Sequence, residues 1–130
     1  MNHGWWQYQR EINIRPFGMA ADAVIIKDRI VGMIGKFLQT ASDTKGMRIM
    51  GRALRNANNI GGIDGQRKAL VIFGLQIAVN TVGLDEDDIG HAVYIIDDRT
   101  VGRQEATVNK ITAGILFWVD PEINKGVIQP

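Results

Sequence analysis

Two histidines, a run of four acids, an adjacent aspartate pair and a glycine-rich basic segment are the places where this sequence could host chemistry. His3 stands near the N-terminus and His91 follows a predicted one-turn helix. No Ser-His-Asp arrangement or histidine-based metal site is therefore legible. Asp85, Glu86, Asp87 and Asp88 lack the alternating ligand spacing and terminal bidentate glutamate of a calcium loop. They suit the start of a short helix, with Asp85 as N-cap and acids near the exposed N–H groups. Asp97 and Asp98 are neighbours on an extended chain and point to opposite faces, so they do not form an acid/base dyad. The segment Gly61-Gly62-Ile63-Asp64-Gly65-Gln66-Arg67-Lys68 lacks the spacing of a phosphate-binding loop and reads as a connection between strands. No catalytic residue, metal ligand or cofactor site is assigned, and the sequence is read as that of a non-enzyme.

Trp5, Trp6 and Tyr8 are a different kind of signal. Three large aromatics within four residues either tuck into the core or anchor on a partner, since aromatics are enriched among binding hot spots. Arg10-Glu11-Ile12-Asn13-Ile14-Arg15 then alternates, which would place Ile12 and Ile14 on one face of an extended strand. Pro16 bars a central strand there. Residues 1–19 thus read as an extended N-terminal arm, with Trp5, Trp6, Tyr8, Arg10, Ile12 and Ile14 as candidate partner-binding residues. Such an arm could add a strand to an exposed sheet edge. Stacking on single-stranded nucleic acid also uses aromatics beside bases, but only Arg10 and Arg15 support it here.

Residues 20–130 read as one β-rich domain built from short apolar runs between turns. The 15 glycines in 130 residues exceed the usual share of about 7% and point to many tight turns. The expected strands are Ala23 to Ile26, Arg29 to Ile34, Phe37 to Thr40, Met47 to Ala53, Ala69 to Phe73, Leu75 to Val79, Ala92 to Ile96, Thr112 to Val119 and Val127-Ile128. Helical spacing can also be drawn from Ala20 to Leu38, but Gly32, Gly35 and the β-branched content favour strands. Gly74 suggests a bulge or sharp bend, and Asp97 to Thr100 a turn. The predicted fold class is all-β, barrel-like or sandwich-like, with a one-turn helix.

The chain contains no cysteine, which excludes disulfides and thiolate metal sites. No apolar stretch approaches the roughly 20 residues of a membrane-spanning helix, and the N-terminus lacks a signal-peptide pattern, so a soluble, unexported protein is expected. The net charge of +1 argues against a dedicated nucleic-acid binder. Its distribution is uneven: residues 1–68 hold 11 of the 15 Lys and Arg but only 5 of the 14 acids. This asymmetry either steers association and orients identical subunits, or vanishes if strands of the two halves intermix.

From Thr44 onward the order of motifs resembles a family of tailed-bacteriophage head proteins, the capsid cement or decoration proteins. The resemblance rests on Gly46-Met47-Arg48-Ile49-Met50-Gly51-Arg52-Ala53, then Gly61-Gly62-Ile63-Asp64-Gly65, the stretch from Asp88 to Val101, the strand from Ala113 to Asp120, and Val127-Ile128-Gln129. It spans about two thirds of the chain. The arm with its paired tryptophans and the very apolar stretch from Lys68 to Val79 depart from the pattern. The resemblance implies a β domain on the exterior of the virion's capsid, bound to the major capsid protein and often oligomeric. By analogy with β-tulip decoration proteins, a trimer is favoured. Neither nucleic acid nor membrane is an expected partner. The alternatives are another virion component, such as a tail, neck or host-attachment module, and a small β-barrel nucleic-acid-binding protein.

Overall fold

Short β-branched runs separated by glycine and aspartate turns fold as strands, as their composition predicts. The computed structural model describes residues 13–130, which are all-β apart from two single-turn 3-10 helices. In chain order the strands are β1 (Ile14–Gly18), β2 (Val24–Ile25), β3 (Ile30–Ile34), β4 (Phe37–Thr40), β5 (Arg48–Ala53), β6 (Ala57–Asn58), β7 (Lys68–Ile72), β8 (Ile77–Val82), β9 (Ala92–Asp97), β10 (Thr100–Gly102), β11 (Thr112–Asp120) and β12 (Lys125–Gln129).

The strands divide into two lobes that are each contiguous in sequence. The first is a five-stranded sheet in the order β1-β7-β5-β3-β4, and the second is a closed barrel in which β8, β12, β11, β9 and β10 follow one another around the circle. These two orders are the same order. Counterpart strands begin at residues 14, 30, 37, 48 and 68 in the sheet and at 77, 92, 100, 112 and 125 in the barrel. Neighbouring strands within each lobe are antiparallel, and the barrel closes through a parallel β8–β10 pair. In the sheet lobe the same closure is sketched by one parallel bridge, Met19 to Leu38. The small β2–β6 pair is an addition to the first lobe.

A shared backbone device bends both lobes. Opposite β3, the pairing of β5 skips Met50, and opposite β9, the pairing of β11 skips Ala113. The next residue is a glycine in each case, Gly51 at φ +157° and Gly114 at φ +156°. A Cβ on Gly51 would stand 2.2 Å from the Ile72 carbonyl oxygen, and one on Gly114 would stand 2.4 Å from that of Gln129. Ile72 and Gln129 lie in the counterpart strands β7 and β12. Bulges of this kind increase strand twist and bend, which is what curls five short strands toward a circle.

Each lobe has its own core, and β3 serves both. Val31 and Met33 turn into the sheet lobe's cluster with Met19, Leu38 and Val71, whereas Ile30 packs into the barrel's cluster with Met47, Leu116 and Ile128. Gly32 lies on the Ile30 side, where a Cβ would sit 2.7 Å from Met47 Sδ. Its missing side chain is the space that Met47 fills. Polar clasps lock the lobes further. The Ile30 amide donates to the Asp98 carbonyl at 2.7 Å, and the Arg29 guanidinium grips the Asp98 carboxylate at 3.2 Å. The Asp43 carboxylate accepts from the amides of Val108 and Asn109 at 2.7 and 2.9 Å. These two amides hold its pKa below the ordinary aspartate value of 3.8.

Several expectations are met and others need correction. The helix predicted at Asp85 is the 3-10 turn Glu86–Asp88, with Asp85 and Asp88 capping each other's backbone. Thr100, read as part of a turn, instead opens β10, the strand that closes the barrel. Of the bulge or sharp bend expected at Gly74, the structure shows the bend: Gly74, at φ +73°, lies in the link between lobes, and Leu75 is exposed ahead of β8. The halves do not intermix, so the charge asymmetry survives in space. Residues 13–73 carry ten bases and four acids, a net +6, and residues 74–130 carry four bases and nine acids, a net −5.

Gly51→Ala and Gly114→Ala are each expected to cost about 3 kcal/mol or more in denaturant unfolding, because the added methyl meets backbone rather than a movable side chain. Gly35→Ala, where φ is +63° but the space is open, should cost only about 1 kcal/mol. Asp43 is stabilising while ionised, so its contribution is complete above its unfolded pKa and fades as pH falls through the lower folded value. The melting-temperature difference between wild type and Asp43→Ala should therefore be largest at neutral pH and shrink on acidification below 3.8.

Candidate adhesion surfaces

The first candidate surface is the outer edge of β1. Phe73 donates its amide to the Asn13 carbonyl and Met19 donates its amide to the Arg67 carbonyl, both at 2.8 Å. Antiparallel alternation therefore turns the backbone groups of residues 13, 15, 17 and 19 toward β7 and those of Ile14, Pro16 and Gly18 away from it. The absent N–H of Pro16 falls on the open side, where no ladder bond is lost. Along Ile14 to Pro16 this side pairs with no other strand among the described residues. Ile14 is 37% exposed, while Phe17 is anchored on Phe73 with ring centroids 5.7 Å apart. Of the candidate partner-binding residues, Ile14 alone is described. Trp5, Trp6, Tyr8, Arg10 and Ile12 lie outside the described residues.

A second surface was not singled out from the sequence. On β11 the burial alternates, with Ile115 outside, Leu116 inside and Phe117 outside; Trp118 is then outside as well, and Val119 returns to the core. The pairing with β12 explains the break, since Leu116 faces Ile128 and Trp118 faces Val127, leaving Phe117 as an extra residue. This second bulge in β11 puts two large aromatics on the surface side by side, with Phe117 60% and Trp118 47% exposed. Ile115 on the same strand and Ile123 in the turn that follows it are exposed as well. The legible signal was the adjacency of Phe117 and Trp118. A regular strand can bury only one of two neighbours, so the pair announces either a bulge or an outward ring.

The remaining candidate residues are committed to the fold. Asp97 accepts the Arg99 amide at 3.0 Å within its turn, and Asp98 is held by Arg29. Asp88 accepts from Arg103 at 2.9 Å, and this hydrogen bond holds its pKa below the ordinary range. The exposed His91 extends the turn through backbone bonds to Asp88 and Leu116. In the glycine-rich loop, buried Asn59 donates to the carbonyls of Ala20 and Ile63 at 2.9 and 3.1 Å. Gly62 packs so tightly there that a Cβ would stand 2.0 Å from Asn59 Oδ1. Among the described residues no group of three or more His, Cys, Asp or Glu converges as a metal site, and no helix is long and apolar enough to cross a membrane.

Edge and patch together define a β protein with outward apolar and aromatic side chains on two lobes. Compared with protein-family models, with curated proteins and with solved structures, the chain matches none.

If Phe117 and Trp118 are surface groups, Phe117→Ser and Trp118→Ser should each cost less than about 1 kcal/mol in urea unfolding. Leu116→Ala, next to them in sequence but fully buried, should cost about 2–5 kcal/mol.

Proposed function

We propose that this protein is a structural component of a tailed-bacteriophage head, bound to the outside of the capsid lattice as a cement or decoration protein. The open edge of β1 carries the reading, because the aromatic-rich segment with Trp5, Trp6 and Tyr8 leads directly into it. An edge strand continuous with three aromatic anchors is suited to extending across a neighbouring protein by strand addition, with the rings supplying the apolar contact. The motifs that resemble the cement family occupy positions where they build such a scaffold. Gly46 to Ala53 contains β5 with its bulged glycine, Gly61 to Gly65 lies in the tight loop around Asn59, and Ala113 to Asp120 lies in β11.

The mechanism is adhesion. Each copy buries area across a boundary between shell subunits, so that parting the boundary also requires parting the cement. Symmetry repeats a modest contact over the whole lattice, which makes the sum large although each interface is of ordinary size. The lobes suit this role because their curvature is set by backbone geometry, and a rigid binder loses little conformational entropy on docking.

A variant lacking residues 2–12 keeps β1 and should unfold at nearly the wild-type temperature. In a co-sedimentation assay with undecorated capsids it should bind at least about tenfold more weakly than the full chain, as expected when clustered aromatic anchors are removed. Undiminished capsid binding by this variant would remove the proposed role of the segment, and absence of binding by the full chain would remove the capsid reading.

A further inference from the structure

The junction between the lobes opens as a cleft of about 490 Å³ in which cations from both sides converge. Lys27 and Arg29 come from the basic sheet lobe, and Arg99 and Lys125 come from the barrel lobe. The barrel lobe is net acidic and has only four bases, so half of its positive charge is gathered at this one place. Two of the cations are engaged, since Arg29 holds Asp98 and Lys125 donates to Asn80 Oδ1. The wall acid Asp28 is taken by Arg52 at 2.7 Å. Lys27 and Arg99 are exposed, and their side chains have no hydrogen bond or ion pair among the described residues. Cations held this close repel one another, and an incoming pair of carboxylates would relieve that cost.

The complementary group lies on the same molecule, outside the cleft lining. The turn Asp85-Glu86-Asp87-Asp88 is pinned to the barrel by Arg103, which contacts Asp85 at 3.4 Å and Asp88 at 2.9 Å. Glu86 and Asp87 are left exposed, with carboxylates that have no partner among the described residues. Strand β10 measures the separation. Arg99 precedes it in the cleft and Arg103 follows it at the acidic turn, about 13 Å apart at the rise of an extended chain. Cleft and turn are thus separate sites along β10, and no ion pair joins Glu86 or Asp87 to Lys27 or Arg99 among the described residues.

We infer that a second copy of this chain supplies the occupant: the acidic turn of one molecule, through Glu86 and Asp87, docks against Lys27 and Arg99 in the cleft of the next. The contact is head-to-tail, so it leaves one free turn and one free cleft and continues until a ring closes. Its partners are solvent-exposed charges, so it is salt-sensitive and is set by complementarity rather than by apolar area. It concerns copies in solution and does not rest on the capsid reading, so either can fail alone.

Sedimentation of the full chain tests this. Wild type should form assemblies at low salt that dissociate at high salt. Lys27→Glu with Arg99→Glu gives an acidic cleft beside an acidic turn, and Glu86→Lys with Asp87→Lys gives a basic turn beside a basic cleft. Each double variant alone should associate at least about tenfold more weakly than wild type. An equimolar mixture should assemble again, because every turn then meets a cleft of opposite sign. Circular dichroism spectra of both variants should match wild type, as the substituted side chains are exposed. A monomeric wild type at low salt, a double variant that assembles like wild type, or a mixture that stays monomeric would each overturn the proposal.

Discussion

A carbonyl oxygen standing where a side chain would begin is the constraint on which this molecule is built. The Ile72 oxygen lies against Gly51 and the Gln129 oxygen against Gly114, and in each lobe the approach is closer than any Cβ allows. The close approach lets β5 and β11 carry an extra residue and bend sharply. Strands of three to nine residues could not otherwise enclose a core, since a flat sheet of five short strands buries only one face. Curvature in turn gives each lobe an inside. The apolar faces of β3 then divide their work, Val31 and Met33 inward and Ile30 outward to the other lobe. The joint between lobes is therefore partly an apolar core and partly a set of backbone and carboxylate clasps, which is why the lobes meet as a defined pair.

Local composition made most strands legible, because β-branched residues between glycine and aspartate turns leave few other choices. The capped turn at Asp85 was legible for the same reason: cap chemistry is local. What escaped was non-local. Thr100-Val101-Gly102 has one apolar residue and follows two aspartates, so it reads as a turn; its strand character comes from pairing with β8, some twenty residues earlier, and with β9. The internal repeat escaped because it conserves geometry rather than side chains. Gly51 and Gly114 coincide, as do Val31 and Val93 opposite them, whereas the rest of Ile30-Val31-Gly32-Met33 and Ala92-Val93-Tyr94-Ile95 has no residue in common. Trp118 escaped because alternation assigns it to the core, and only a bulge reverses that assignment. Of the candidate partner-binding residues, Ile14 falls within the described chain, on the exposed edge strand where the alternation placed it.

The two lobes share a topology but differ in surface. One is basic and bears the open edge of β1; the other is acidic and bears the aromatic strip of β11. Repetition of one strand order with different exteriors gives one short chain two chemically distinct faces. Arg103 illustrates the division: in a lobe poor in cations it holds the acidic turn together, whereas the sheet lobe spreads its many bases along the surface.

Contiguity of each lobe in the chain bears on how the protein is made. Every strand of the first lobe has its pairing partners by residue 72, so that lobe can curl and fill its own core while the barrel is still being synthesised. It would do so with Ile30, Ala41 and Met47 uncovered, since their apolar neighbours Leu116 and Ile128 come near the end of the chain. The nascent protein thus passes through a stage with a finished half and a bare sticky flank, and β12, which emerges after the other barrel strands, both joins β11 to β8 and hides that flank.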